Sequence, residues 1–326
     1  MRGKKRVVLI FPRMIGAKDQ IRRAQPPLGI CSIAAVLEQR GHEVMLVDSV
    51  LEGYEDLTPL ENEPNLVEYG LSDDAVVSRT LQFDPDVIGI SALFSSQASA
   101  VFSLSRALKK AHPGVPVVFG GIHASTNGKS VLSEEPSIDF VLAGESDHSF
   151  PDLVERLPGD CYGTPGLVWR EGKRVRMNSK PPFIRDMDAL PFPAWHLLDM
   201  EKYFEIGMPH NPFITSNRVG CIMTSRGCPE RCYFCSSSEY FGHSYRAMSA
   251  GRVVGLVRHM VDRFGIRELQ IEDDSFTLNA TRVIEICKEL KEFKIRITLP
   301  NAIRADAPVD TEKRLQDVPG HARGRG

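Results

Sequence analysis

Three cysteines occur within one short stretch, Cys228-Pro-Glu-Arg-Cys232-Tyr-Phe-Cys235. Spacings of three and then two residues can bring three sulfur atoms onto one face of an iron–sulfur cube, because such clusters are held by cysteine thiolates. A cube held by three thiolates leaves its fourth iron without a protein ligand. The spacing therefore predicts a cluster whose chemistry takes place at one open iron.

These cysteines could instead hold a structural zinc ion or form disulfides. A structural zinc site would need a fourth ligand, and Cys221 or His243 lies near enough in the sequence to supply it. Zinc knuckles usually come as two CxxC pairs, and the sequence has no second pair. A disulfide framework fits less well, because 7 cysteines in 326 residues is an odd number at low density. The remaining thiols, Cys31, Cys161 and Cys287, are predicted to be buried or half-buried.

The composition predicts a soluble protein of two domains. A chain of 326 residues exceeds what one core usually fills. Hydrophobic residues make up 42%, charged residues 25%, and the formal net charge is -2, which gives no bulk electrostatic reason to bind nucleic acid. No run approaches the ~20 apolar residues of a membrane helix, and no apolar N-terminal segment forms a secretion signal. Reduced thiols and an oxygen-sensitive cluster both predict a cytoplasmic location.

Residues 7 to about 145 alternate short apolar runs with helical patterns, which is typical of parallel strands joined by crossover helices. Amphipathic helices are predicted over Leu28 to Arg40 and Ser96 to Ala111. The fold class is therefore α/β, with a doubly wound parallel sheet and a ligand crevice at the carboxyl ends of its strands. The predicted strands are Val7 to Phe11, Glu43 to Val47, Val87 to Ser91, Val115 to Phe119 and Phe140 to Ala143.

Several residues at those strand ends are candidates for binding a bulky ligand. Glycine permits close backbone approach, and a side chain at Gly121 is predicted to project into the crevice. A Gly-Gly pair after a strand is also a common turn, and His123 has the alternative role of bonding backbone beside that turn. The candidates are Leu28, Gly29, Ser91, Gly120, Gly121, His123, Gly144 and Glu145.

Prolines punctuate residues 158 to 218, which are interpreted as a connector with little core of its own. A hairpin is predicted within it, over Gly166 to Arg170 and Arg174 to Met177. Beyond it, strands and helices alternate again, as in part of a barrel with its site at the carboxyl face. The strands are Val219 to Thr224, Glu268 to Ile271 and Ile295 to Leu299, and the helices Ala250 to Phe264 and Thr281 to Lys291.

Polar residues follow the second and third of these strands. The carboxylates Glu272, Asp273 and Asp274 could bind magnesium, or could cap the helix that follows. Asn301 and Arg304 follow the third strand, where a solvated pair is the alternative to a ligand contact.

The CxxxCxxC run resembles the signature of the radical S-adenosylmethionine enzymes. The resemblance implies that Cys228, Cys232 and Cys235 ligate a 4Fe-4S cluster whose open iron binds S-adenosylmethionine, which one electron cleaves to a 5'-deoxyadenosyl radical. Phe234 matches the aromatic residue near the adenine. Glu272 and Asp273 occupy the position of the motif that holds the methionyl ammonium, and Asn301 and Arg304 match positions that face the ribose and carboxylate.

The first domain resembles the cobalamin-binding domain that precedes many radical S-adenosylmethionine domains. The likeness rests on Pro26-Pro-Leu-Gly29, Gly41-His-Glu-Val44, Gly120-Gly-Ile-His123 and Ala143-Gly-Glu145. The DxHxxG motif is missing, so the resemblance implies cobalamin bound without a protein imidazole on cobalt. The same absence also fits a domain that no longer binds cobalamin.

Together these readings divide the chain into four parts: a cobalamin-binding-like domain (1–157), the connector (158–218), the first half of a radical S-adenosylmethionine barrel (219–308) and an aberrant tail (309–326). The sequence after Cys228 holds about three strands, so a truncated chain is expected. The resemblance implies methyl transfer or radical rearrangement on a small-molecule substrate, with flavodoxin or ferredoxin as electron donor. The alternative is an inactive fragment that serves as a cobalamin- or nucleotide-binding module.

Overall fold

The computed structural model describes residues 3–301 and residue 303. Arg304 and the tail predicted over 309–326 lie outside the described residues. The chain divides into two compact units. The first comprises the residues up to Arg22, Gly29–Pro182 and Pro193–Leu198, and the second comprises Arg23–Leu28, Phe183–Phe192 and the residues from Asp199 onward.

The first unit contains strands and helices in alternation, together with a short 3-10 helix at Ser95–Gln97. In chain order they are β1 (Arg6–Phe11), β2 (Met14–Ala17), α1 (Leu28–Gln39), β3 (Glu43–Asp48), α2 (Ser49–Glu52), β4 (Leu57–Leu60), β5 (Glu63–Tyr69), α3 (Asp73–Phe83), β6 (Val87–Ser91), α4 (Ala98–Ala111), β7 (Val117–Gly120), α5 (Ile122–Glu134), β8 (Phe140–Leu142), α6 (Ser149–Arg156), β9 (Leu167–Glu171) and β10 (Arg174–Met177).

A seven-stranded sheet in the order β10-β9-β8-β7-β6-β1-β3 forms the centre of this unit. The strands β3, β1, β6, β7 and β8 are parallel neighbours. Counted among themselves they run 2-1-3-4-5, an order of doubly wound folds in which the ligand crevice lies where the connections change direction. The predicted fold class is confirmed, and the crevice of this sheet lies at the carboxyl ends of β1 and β6.

Helices cover both faces of the sheet because its central strands are apolar on both sides. On one face Val8, Ile88 and Phe119 are fully buried with residues of α4 and α5. On the other face a side chain at Gly89 would approach Leu9 to 2.8 Å and Phe150 of α6 to 2.9 Å. Strands buried on both faces read as continuous apolar runs, which is why the sequence predicts them well.

The hairpin predicted within the connector is present, but it belongs to the first unit. Strand β9 pairs antiparallel with β8, and Leu167 and Val168 are fully buried. Arg170 donates to three carbonyl oxygens at the end of α5 and beyond, those of Leu132, Glu135 and Ile138. Residues 158–182 therefore complete this unit's core, because two apolar side chains of β9 extend the buried edge of the sheet.

A small antiparallel sheet, β2-β5-β4, is a feature that the sequence does not predict. Leu57 to Pro59 and Glu63 to Asn65 are exposed, and β4 contains a proline. Such strands carry no continuous apolar run, so tertiary pairing rather than local pattern defines them.

The second unit contains a three-stranded parallel sheet, with β14 between β11 and β15. This agrees with the predicted part of a (β/α) barrel. No helix in the described part of the chain is both long and apolar enough to cross a membrane. The elements are α7 (Met200–Ile206), β11 (Val219–Ile222), β12 (Ser225–Arg226), α8 (Ser237–Phe241), β13 (Arg246–Ala247), α9 (Ala250–Phe264), β14 (Glu268–Ile271), α10 (Ala280–Leu290) and β15 (Arg296–Thr298).

Candidate functional site

The loop after β6 presents apolar side chains at the crevice of the first unit. Leu93 is 39% exposed and Phe94 53% exposed. Gln97, which is fully buried, accepts hydrogen bonds through Oε1 from the backbone N–H groups of both residues, at 3.0 and 3.1 Å. The loop is thus held in one conformation with its apolar side chains outward. The sequence signal for these two residues, an apolar pair directly after a buried strand, does not distinguish them from core residues.

A side chain at Gly121 would not project into the crevice in the way that the sequence predicts. The φ of this glycine is +97°, and an added Cβ would collide with the backbone carbonyl of Ala92, so a side chain would meet the protein's own backbone rather than project freely into the crevice. Gly120 is the more open position, since the nearest atom to an added Cβ is the carbonyl oxygen of Leu142, at 3.9 Å. Gly121 is therefore required by the turn itself.

These two glycines form a matched pair for a stability test. We expect Gly121→Ala to lower the free energy of unfolding by about 1–3 kcal/mol, because the new methyl group strains a left-handed backbone against a fixed carbonyl. Gly120→Ala should change it by less than about 1 kcal/mol. Urea unfolding of both variants checks this, and equal losses would contradict the assigned geometry.

The other predicted crevice residues differ in exposure. His123 bonds Ser95 Oγ through Nδ1 at 2.9 Å, and partial burial lowers the pKa of its imidazole. Gly144 and Glu145 are buried, and the Gly144 turn packs on Pro181. Leu28 and Ser91 are half-buried, and Gly29 is exposed at the start of α1. Exposed apolar side chains, an open glycine and a neutral imidazole suit a large organic cofactor.

The cysteine loop in the second unit is exposed, unlike the other cysteines of the chain. Cys232 and Cys235 are exposed and Cys228 is half-buried, whereas Cys31, Cys161, Cys221 and Cys287 are buried. Tyr233 is fully exposed and Phe234 is 89% exposed. The Cys235 N–H donates to the carbonyl of Cys232 at 3.1 Å, which closes the turn between the last two cysteines. Three accessible thiols in one tight loop are the donor set that an iron–sulfur cluster uses.

The geometry of the thiols bears on the zinc alternative. In residues 3–301 and 303, no three His, Cys, Asp or Glu side chains are grouped so that they could hold one metal ion. Burial, with a contribution from Glu272, raises the pKa of the Cys221 thiol well above its usual value. Cys221 also lies buried in β11, whereas Cys232 and Cys235 are exposed.

Four consecutive residues after β14 each contact a different partner. Glu272 bonds His210, Asp273 bonds Thr224 and Ser225, and Asp274 bonds Ser237. Ser275 donates through Oγ to Cys228 Sγ at 3.0 Å. This run, 272–275, therefore links the end of β14 to residues before, within and after the cysteine loop.

Asp273 is occupied by the protein itself. It is 2% exposed, and its two oxygens accept from Thr224 N–H at 2.5 Å, Thr224 Oγ1 at 2.6 Å and Ser225 Oγ at 2.6 Å. Arg282 completes the group by donating to Thr224 O and Oγ1. Burial raises the pKa of Asp273 even though these bonds oppose the shift. Of the two carboxylates predicted to hold an ammonium group, Asp273 instead fixes the residues that lead into the cysteine loop.

Glu272 has the free binding capacity that Asp273 lacks. It is 8% exposed, and its Oε1 is buried without a hydrogen-bond partner among the described residues. The Oε2 atom bonds His210 Nδ1 at 2.7 Å, and the backbone oxygen accepts from Asn301 Nδ2 at 3.0 Å. The predicted residue Arg304 lies outside the described part of the chain. His210 is a site residue that sequence reasoning did not identify.

Comparison with known proteins gives the family context for these two sites. Residues 18–154 match the family model of the B12 binding domain. The chain is 34% identical over 314 residues to cytidylyl-2-hydroxyethylphosphonate methyltransferase of Streptomyces wedmorensis, covering 89% of this chain and 59% of that protein. It is 28% identical over 296 residues to the anaerobic magnesium-protoporphyrin IX monomethyl ester cyclase of Rubrivivax gelatinosus, covering 87% and 48% respectively.

The fold agrees with that of a solved structure, the cobalamin-dependent S-adenosylmethionine radical enzyme OxsB with aqua-cobalamin and S-adenosylmethionine bound. The TM-score is 0.69 at 19% identity, over 91% of this chain and 38% of that one. The chain thus spans less than two thirds of the length of each of these proteins. With the B12-binding match, the methyltransferase relationship and the CxxxCxxC loop taken together, the chain belongs to the radical S-adenosylmethionine proteins that carry a cobalamin-binding domain.

Proposed function

We propose that this chain cleaves S-adenosylmethionine reductively with a 4Fe-4S cluster and, together with cobalamin, transfers a methyl group to a small-molecule substrate. Cys228, Cys232 and Cys235 hold the cluster in this proposal, and Glu272 holds the methionyl ammonium. The cobalamin site is the crevice at the carboxyl ends of β1 and β6. When bound, the cluster supplies the electron that cleaves the sulfonium, and cobalamin supplies the methyl carrier.

The observation that carries the proposal is the unpartnered oxygen of Glu272. A buried carboxylate oxygen without a donor costs free energy unless a ligand supplies one. An ammonium group is the natural partner, because charge-assisted hydrogen bonds are about twice as strong as neutral ones. Three residues further on, Ser275 contacts Cys228, so the carboxylate lies on the segment that reaches the cysteine loop. This arrangement suits a ligand that also binds the open iron.

Other residues of the second unit support the cluster loop and the bound ligand in this proposal. Asp273 and Arg282 fix Thr224 and Ser225, which lead into the loop. The exposed ring of Phe234 offers a flat apolar surface for an adenine. Asn301 donates to the backbone oxygen of Glu272, and Oε1 of the Glu272 side chain is left to the ligand.

Support for cobalamin comes from the first unit's crevice. Leu93 and Phe94 expose apolar surface there, and Gly120 leaves room beside them. His123, Gly144 and the other crevice residues named from the sequence remain candidates for the same site. The proposal does not require an imidazole ligand on cobalt.

Methyl transfer is preferred because the Streptomyces wedmorensis relative, at 34% identity, is a methyltransferase. A radical rearrangement is the second candidate, favoured by the relationship to the cyclase. The two differ in a measurable way, since only the first moves a labelled methyl group from S-adenosylmethionine to product. Both need a one-electron donor, for which flavodoxin or ferredoxin is suitable, and a reducing compartment such as the cytoplasm.

The role of Glu272 is tested by S-adenosylmethionine binding to the anaerobically reconstituted chain. We expect Glu272→Gln to raise the Kd about ten- to a hundredfold, because a charged acceptor is replaced by a neutral amide. The matched control is Glu285→Gln, a glutamate on the exposed side of α10. Isothermal titration under argon measures both variants. Equal affinities of the two variants for S-adenosylmethionine would show that Glu272 does not bind it.

A further inference from the structure

Strand β14 carries polar side chains on one face, and a short segment of the second unit forms hydrogen bonds with them. Leu269 and Ile271 are buried apolar residues. The alternate positions Glu268, Gln270 and Glu272 point the other way, because strand side chains alternate between faces. All three are buried, at 0%, 0% and 8% exposure. Buried polar groups need hydrogen-bond partners, and one short segment supplies at least one to each of the three. Oε1 of Glu268 and Oε1 of Glu272 have no hydrogen-bond partner among the described residues.

That segment is the strap, defined here as residues 210–215. At one end the N–H and Oγ1 of Thr215 both donate to Glu268 Oε2, at 2.8 and 2.9 Å. In the middle, Asn211 N–H donates to Gln270 Oε1 at 3.0 Å and Gln270 Nε2 donates back to Asn211 O at 2.8 Å. At the other end His210 reaches Glu272 Oε2 at 2.7 Å. Glu268, Gln270 and Glu272 therefore each bond one residue of the strap.

We propose that His210 is a positioning residue for S-adenosylmethionine: anchored by the strap, it holds Glu272 Oε2 so that Oε1 faces the ammonium group. This inference rests on the proposed function. The hydrogen bonds of Glu268 and Gln270 fix the position of the strap along the strand. His210, at the end of the strap, therefore lies opposite Glu272. A Glu272 side chain that His210 already holds in place loses less conformational entropy when the ligand binds than a free one would. The affinity for the ligand is therefore higher.

The chemistry of the pair gives the direction of the hydrogen bond. An ionised carboxylate has no proton to give, so the His210 imidazole donates through Nδ1–H. The hydrogen bond to Glu272 raises the pKa of His210, against partial desolvation and the charge of Arg23. The imidazole donates in both its charged form and the Nδ1–H tautomer of its neutral form. Glu272 therefore keeps one oxygen occupied and one available.

The strap bonds also have a simpler interpretation, in which they only stabilise the second unit. That role predicts that removing the His210 ring lowers stability and changes ligand affinity no more than a comparable lesion elsewhere. The chain offers a matched control, because His196 Nε2 lies 3.1 Å from a carboxylate oxygen of Glu38 in the first unit. The two histidines have similar exposure, 42% for the side chain of His210 and 38% for that of His196.

A first experiment needs no ligand. The imidazole of His210 is titrated by NMR in the unaltered chain and in Glu272→Gln, with His210→Asn used to assign its signal among the nine histidines. We expect the pKa of His210 to lie above its ordinary value of about 6.5 and to fall in Glu272→Gln. An unchanged titration would show that the pair does not form, and would overturn the inference without touching the proposed function.

The second experiment measures S-adenosylmethionine affinity of the reconstituted chain. We expect His210→Ala to raise the Kd about tenfold, His210→Gln to recover part of the loss as a donor of similar length, and His196→Ala to stay within about twofold. If His210→Ala and His196→Ala change the Kd equally, His210 only stabilises the structure and the inference is wrong. No binding by the unaltered chain would instead contradict the proposed function, and the positioning role with it.

Discussion

Cys232→Ala is expected to abolish cluster assembly. The unaltered chain should take up about four irons during anaerobic reconstitution and become brown, with absorption that dithionite bleaches. The variant keeps only two thiolates in the loop, too few to hold a cube with one open iron, so its iron content should fall to near zero. Iron and sulfide analysis together with the visible spectrum measures this.

Two variants control for the general loss of a thiol. Cys221→Ala and Cys287→Ala remove buried thiols outside the loop, and both should assemble the cluster normally. The Cys221 variant also tests the zinc alternative, in which that residue is the fourth ligand. Stoichiometric zinc in the untreated chain, without iron uptake on reconstitution, would overturn the cluster assignment.

Asp273→Ala is expected to cause the largest loss of stability in the second unit, about 3–5 kcal/mol. The substitution leaves the Thr224 N–H and two hydroxyl groups without their acceptor in a buried place, and leaves Arg282 without the carboxylate charge nearby. Because Thr224 and Ser225 lead into the cysteine loop, local order should be lost there first. Denaturant unfolding and amide hydrogen exchange of residues 219–226 measure the two effects.

The adjacent carboxylate provides the control. Asp274 is exposed and bonds only the Ser237 hydroxyl in the described structure, so Asp274→Ala should cost less than about 1 kcal/mol. A loss below about 1 kcal/mol for Asp273→Ala as well would mean that the buried group contributes nothing beyond a surface contact.

The parallel strands could be predicted from sequence because burial on both faces leaves an unbroken apolar run. Helix α5 could not be predicted in this way. Its sequence is rich in small and polar residues, and Gly128 lies in its middle. The structure supplies the reason, since a Cβ there would approach Val141 Cγ1 to 2.9 Å where the helix crosses the sheet. Close packing against strands, rather than helix propensity, selects that residue.

The sequence names Glu272 and Asp273 as candidates but does not show which partners each carboxylate has. Glu272 and Asp273 are adjacent carboxylates, but the protein engages both oxygens of Asp273 and leaves Oε1 of Glu272 open. The alternation Glu268-Leu-Gln-Ile-Glu272 was visible in the sequence as period two within a buried strand. His210 lies 62 residues from Glu272, so no local pattern could connect them.

In the proposed function, the cluster of this chain has an open iron that binds S-adenosylmethionine. Electron paramagnetic resonance of the reconstituted, dithionite-reduced chain, recorded with and without S-adenosylmethionine, tests it most directly. We predict the spectrum of a reduced 4Fe-4S cluster whose g-values shift when S-adenosylmethionine is added, and which does not shift in Glu272→Gln at the same concentration. A four-iron cluster whose spectrum is unchanged by saturating S-adenosylmethionine would contradict binding at an open iron.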